Sequence, residues 1–99
     1  MFQTAYAATE VGKFDETLPI YSLTDVAKHK TLGDRVWVTY RDGVYDITDF
    51  VKMHPGGKRI LKASGRSVER YWKVYRKHNK PYVRELLERY RIGNLQKKQ

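Results

Sequence analysis

Two β-rich runs on either side of an Asp-Gly pair constrain this chain most. Val36-Trp37-Val38-Thr39-Tyr40 precedes Arg41-Asp42-Gly43, and Val44-Tyr45-Asp46-Ile47 follows. Branched and aromatic residues suit a pleated surface, and Asp-Gly supplies the positive φ values of a hairpin turn. The pattern predicts a hairpin over 36–47. With 99 residues there is room for one domain, so the remaining elements must pack on this hairpin.

Upstream, residues 1–19 lack sustained periodicity and end at Pro19, which predicts an extended or mobile arm. Ser22-Leu23-Thr24-Asp25 reads as a capping box, with a short helix through Val26 to about His29. Downstream the period changes. Thr48 is placed to cap a short helix carrying Phe50 and Val51, and Pro55-Gly56-Gly57 breaks it. A second short helix runs from about Lys58 to Ala63 and ends at Gly65. Val68, Tyr71, Trp72 and Tyr75 recur at i, i+3, i+4 and i+7, one helical face that His78 joins if the helix reaches it. Pro81 suits N1 of a last helix with Val83, Leu86, Leu87 and Tyr90 on one face. Gly93 suits its C-terminal cap, and Ile92 and Leu95 can return to the sheet. The helices fall into two pairs, over 48–63 and about 67–91. The expected fold is α+β: a short mixed sheet and two helix pairs with a pocket between them. The expected boundaries are an arm at 1–19, a domain at 20–95 and a polar tail at 96–99.

Composition removes several classes of function. There is no Cys, so disulfides, thiolate metal sites and a Cys nucleophile are excluded. No stretch approaches eighteen apolar residues, and MFQTAYAATE has neither the basic nor the apolar region of a signal peptide. A soluble domain, cytoplasmic or in the mitochondrial intermembrane space, is the expectation. Charge is split along the chain. Residues 1–50 carry five Lys/Arg against eight Asp/Glu; residues 51–99 carry fifteen against three. Lys58, Arg59, Lys62, Arg66, Arg70, Lys73, Arg76, Lys77 and Lys80 belong to the segments around the expected pocket. Such a field attracts an acidic partner, a polyanion or an anionic membrane surface.

The histidines carry the chemistry. His54 stands before Pro55-Gly56-Gly57, a rigid corner of low bulk, and His78 lies at the end of the aromatic face. Neutral imidazole is a good iron ligand, and two imidazoles on opposite walls of an apolar slot suit a planar haem. Plainer readings exist for each piece: a satisfied histidine, an ordinary core stripe, a loop. His29 reads as a surface or packing histidine. Met53 is adjacent to His54 and reads as a pocket-rim or surface residue.

In order along the chain, Tyr21-Ser22-Leu23-Thr24-Asp25-Val26-Ala27-Lys28-His29, Trp37-Val38, Val44-Tyr45-Asp46-Ile47-Thr48-Asp49-Phe50 and His54-Pro55-Gly56-Gly57 resemble the cytochrome b5 family. Tyr71-Trp72-Lys73-Val74-Tyr75, His78-Asn79, Val83-Arg84-Glu85-Leu86-Leu87 and Tyr90-Arg91-Ile92-Gly93-Asn94-Leu95 are similar to the haem domain of sulfite oxidases. The resemblance implies b-type haem with His54 and His78 as axial ligands. It also implies a pocket of Phe50, Ile60, Leu61, Tyr71, Trp72 and Tyr75 beside Pro55, Gly56 and Gly57. Electron transfer follows, without substrate chemistry of its own, as a free monomer or a module of a sulfite-oxidase-like enzyme. The basic face implies an acidic redox partner protein or sister domain. The alternative function is a basic domain that binds nucleic acid or a membrane surface without a cofactor. Nucleic acid is disfavoured, because Tyr71, Trp72 and Tyr75 are spaced for burial rather than for base stacking.

Overall fold

The computed structural model describes residues 10–97. Five strands form one mixed sheet: β1 (Ile20–Tyr21), β2 (Trp37–Tyr40), β3 (Gly43–Asp46), β4 (Arg66–Ser67) and β5 (Arg91–Leu95), in the order β1-β5-β3-β2-β4. The β2–β3 hairpin is the centre, with Trp37 opposite Asp46 and Tyr40 opposite Gly43. β5 pairs antiparallel with β3, which returns Ile92 and Leu95 to the sheet as their sequence suggests. β1 and β4 lie parallel at the two edges.

The turn differs from the expected one. The loop residues are Arg41 and Asp42, and Arg41 takes the positive φ of 53°. Gly43 is a strand position, where a Cβ would sit 2.5 Å from the Tyr45 hydroxyl. Gly93 is likewise not a helix cap. It lies within β5, where a Cβ would meet the Tyr21 ring at 2.5 Å. Both glycines make room for a tyrosine ring.

Among the described residues three α-helices and three 3-10 helices accompany the sheet. α1 (Leu23–Ala27) starts at the expected capping box, with Ser22 and Asp25 each accepting the other's backbone N–H. Thr48–Met53 and Gly57–Ala63 are 3-10 helices. Thr48 is the first residue of its helix rather than the cap. Its hydroxyl accepts from the Val36 N–H and donates to Asp46, so it pins the helix to β3 and to the entrance of β2. α2 (Glu69–Val74) is shorter than the aromatic periodicity predicts. The chain leaves the helix at Tyr75 (φ −99°, ψ 85°) and resumes as a 3-10 turn over Arg76–Asn79. A two-turn helix gains few hydrogen bonds for its nucleation cost, so local contacts decide where it stops. α3 (Pro81–Glu88) opens with Pro81 at N1 as expected.

The core centres on the hairpin and its flanks. Val36, Val38, Tyr40, Tyr45 and Ile47 are buried together with Val51, Ala63, Val68 and Leu87 from the helical side. Val11 belongs to the same cluster and is fully buried. Of the segment expected to be an arm, residues 1–9 lie outside the described residues, and residues 10–19 pack onto the fold. Asn94 explains this. Its side-chain amide donates to the Asp15 and Leu18 carbonyls and accepts from the Asp15 N–H, replacing strand pairing with side-chain bonds.

Candidate functional site

His54 caps the Thr48–Met53 helix in extended backbone, with Pro55 next. The chain folds back at once: the Gly57 N–H donates to the His54 carbonyl at 2.8 Å. The imidazole closes the same loop, because Nδ1 lies 3.2 Å from the Gly57 carbonyl. A carbonyl oxygen only accepts, so in the neutral ring Nδ1 carries the proton and Nε2 the lone pair. Gly57 has φ +65°, which favours glycine. Gly56 is needed for a different reason: a Cβ there would lie 2.8 Å from the Cε1 of His54.

His78 repeats the arrangement on the other side. Its Nδ1 lies 3.0 Å from the Tyr75 carbonyl, which also accepts the His78 backbone N–H at 3.1 Å. The break at Tyr75 therefore has a consequence. It leaves the Tyr75 carbonyl to accept from the His78 backbone and to lie against its Nδ1. The second Nε2 is again the free acceptor.

The two imidazoles lie close together. Their centres are 6.1 Å apart and their planes differ by 17°. Two metal–imidazole bonds of about 2 Å each, plus roughly 1 Å from each nitrogen to its ring centre, sum to about 6 Å. The spacing fits one metal ion shared by both Nε2 atoms. Among the described residues there is no cluster of three His, Asp or Glu able to hold a bare ion. Any metal here must bring the rest of its ligands with it.

Aromatic rings hold both imidazoles. Trp72 stacks on His78 at 5.7 Å and 13°, and Tyr40 backs Trp72 at 5.0 Å. Phe50 meets His54 edge-on at 5.8 Å and leans on Tyr90 at 5.6 Å. Phe50, Ile60, Leu61, Tyr71 and Trp72 are half-buried and packed against the core. The Tyr71 hydroxyl donates to the Lys62 carbonyl, linking α2 to the Gly57–Ala63 helix. Tyr75, expected beside the pocket, is 51% exposed, and its carbonyl lies against the His78 Nδ1. Tyr40 and Tyr90 join the aromatic surround although neither stands out in the sequence as a site residue. The pairing of each lies across the fold, in the partners Trp72 and Phe50. His29 is apart from the site and packs face to face on Trp37 at 3.7 Å.

The rim is cationic. Residues 52–82 hold ten Lys/Arg and one acid, Glu69. All ten are exposed, and none is in an ion pair among the described residues. Glu69 accepts from the Arg41 backbone N–H.

The profile of the family described as "Cytochrome b5-like Heme/Steroid binding domain" matches residues 22–96. The mitochondrial sulfite oxidase of Drosophila melanogaster is 51% identical over 79 residues, which cover 80% of this chain and 14% of that protein. The cytochrome b5 of Rhizopus stolonifer is 42% identical over 81 residues, covering 80% of this chain and 59% of that one. Among solved structures, cytochrome b558 of Ectothiorhodospira vacuolata, titled a prokaryotic homologue of cytochrome b5, superimposes with a TM-score of 0.67 at 33% identity. The match covers 79% of this chain and 99% of that one.

Proposed function

This chain belongs to the cytochrome b5-like haem/steroid binding family, and on that premise we propose that it carries single electrons on a b-type haem held by His54 and His78. One observation carries the reading: two imidazoles whose ring centres are 6.1 Å apart and whose planes differ by 17°, each with Nδ1 against a backbone carbonyl, which leaves both Nε2 atoms for a metal. A steroid has no use for two imidazole lone pairs; an iron carried in a macrocycle would take both. Bound there, haem supplies a one-electron ferric/ferrous couple.

The chain's own residues do the rest. The Gly57 and Tyr75 carbonyls fix the tautomer and the rotation of each imidazole and raise its basicity as a ligand. Trp72 and Phe50 brace the rings from behind. Ile60 and Leu61 keep water from the slot, and Pro55, Gly56 and Gly57 hold the corner thin enough for a flat guest. Held by both His54 and His78, haem would keep no open position for O₂ and would supply electron transfer without making or breaking a substrate bond. Its partner is a redox protein or, where this sequence forms part of a sulfite-oxidase-like enzyme, a sister domain, acidic in either case because the rim is basic.

Tyr71 and Trp72 argue against the nucleic-acid alternative. Both rings are engaged within the fold, Tyr71 through Lys62 and Trp72 between Tyr40 and His78, so they offer bases no stacking platform. The test is an absorption spectrum of the haemin-loaded protein, oxidised and reduced. A low-spin b-type spectrum is expected, lost in His54→Ala and in His78→Ala. Retention of that spectrum by both variants would overturn the ligand assignment.

A further inference from the structure

We propose that the two segments flanking the histidines form one docking face for an acidic redox protein, with an apolar centre inside a ring of lysines and arginines. The proposal rests on the carrier reading above and names the surface through which that carrier is reached.

Three observations meet here. The cations are unneutralised: among the described residues of 52–82 the ten Lys/Arg have no ion pairs, although elsewhere in the fold Arg35 pairs with Asp46 and Arg91 with Glu88. Large apolar side chains are exposed on the same segments: Met53 by 59%, Val74 by 71% and Tyr82 by 67%. And the two segments converge. Met53 directly precedes His54, while Val74 and Tyr82 lie four residues on either side of His78, and the two imidazoles are 6.1 Å apart. An apolar centre with a charged, wet rim is the anatomy of a transient protein interface. The cations attract the partner from a distance, and the apolar residues let it approach closely once there.

Such a face accelerates encounter with an acidic protein, and salt removes the effect. The probe is reduced flavodoxin, a one-electron donor with an acidic surface, mixed with the haemin-loaded full chain in a stopped-flow instrument. Dithionite is applied first. If dithionite fails to reduce a low-spin haem, the carrier reading fails before docking is tested.

With that control passed, the second-order rate should fall at least tenfold between low salt and 0.3 M salt. The triple variant Lys58→Glu, Lys73→Glu, Lys77→Glu should slow the low-salt reaction at least tenfold. Lys13→Glu with Lys97→Glu, which reverses charge away from the face, should leave it within twofold. At 0.3 M salt, Met53→Glu with Val74→Glu should lower the residual rate several-fold, because close contact then governs transfer. A rate indifferent to salt, equal slowing by the remote pair, or no effect of the Met53/Val74 pair overturns the proposal. Tighter binding to phosphatidylserine vesicles or duplex DNA than to flavodoxin at equal salt would assign the face to a membrane or to nucleic acid. A dimer in sedimentation that the triple variant dissociates would assign it to a second copy of this chain. Each of these also overturns it.

Discussion

At the scale of single residues, the glycines of His54-Pro55-Gly56-Gly57 separate into two jobs. In the sequence both read alike, as parts of one corner of low bulk. In the structure Gly56 leaves room for the imidazole itself, since a Cβ would lie 2.8 Å from Cε1 and 3.2 Å from Nδ1 of His54. Gly57 has open space around it but a φ of +65°. Gly56→Ala should therefore displace the His54 ring from the Gly57 carbonyl, and loss of such a supporting bond weakens a metal site about tenfold to a hundredfold. Gly57→Ala should instead cost about 1 kcal/mol of backbone strain. Haemin titration and thermal unfolding separate the two: Gly56→Ala is expected to shift the titration, and Gly57→Ala chiefly the melting temperature. The histidines and the corner were legible because side chains announce themselves. The Gly57 and Tyr75 carbonyls were not, because every residue has a carbonyl and only its final direction matters.

At the scale of elements, side-chain to backbone bonds stitch the helices to the sheet, and two of these seams can be tested. The Asp46 carboxylate lies at the end of β3, where burial alone would raise its pKa. The Arg35 guanidinium, with the hydroxyl and N–H of Thr48, more than offsets this and holds it below the ordinary carboxylate range. Its folded value is thus below its unfolded value of about 3.9. The stability it contributes is complete above ~pH 5 and is lost as pH falls through the folded value. Asp46→Asn should flatten the decline in stability over that acid range, as read by urea unfolding at a series of pH values. The second seam is the segment before β1. Val11 is fully buried within the core cluster, so Val11→Ala should cost roughly 2 kcal/mol in urea unfolding. A loss near zero would mean that residues 10–19 add nothing to the folded unit. The hairpin, the capping box and Pro81 were readable because each rests on contacts within a few residues. The place of Val11 was not, because it depends on partners some thirty positions later: the Arg41 guanidinium donates to the Val11 carbonyl and the Asp42 N–H to that of Gly12. The end of α2 was not either, since its aromatic spacing continues past the point where the helix stops.

At the scale of the molecule, stability and chemistry occupy different halves. The sheet side contributes most of the fully buried side chains, among them Val36, Val38, Val44 and Tyr45. Residues 48–80 are three 3-10 helices, a six-residue α-helix and the edge strand β4, and they bury few side chains: Val51, Ala63, Ser64 and Val68. These same residues hold both imidazoles and ten mutually repelling cations. Short helices with little buried area sit at the low end of local stability, and like charge lowers it further. A guest bound only when this half is folded then stabilises it by mass action. Haem and the 48–80 region should therefore order each other, while the hairpin and β5 stand largely without it. Hydrogen exchange of the haem-free and haemin-loaded chain measures this directly. Protection of backbone N–H groups in 48–80 should rise at least tenfold on loading, and that of Val38, Val44 and Tyr45 should change far less. Raising salt should narrow the difference by screening the cations. Equal gains in both halves would show a single cooperative unit in which the site's residues are as stable as the sheet that carries them.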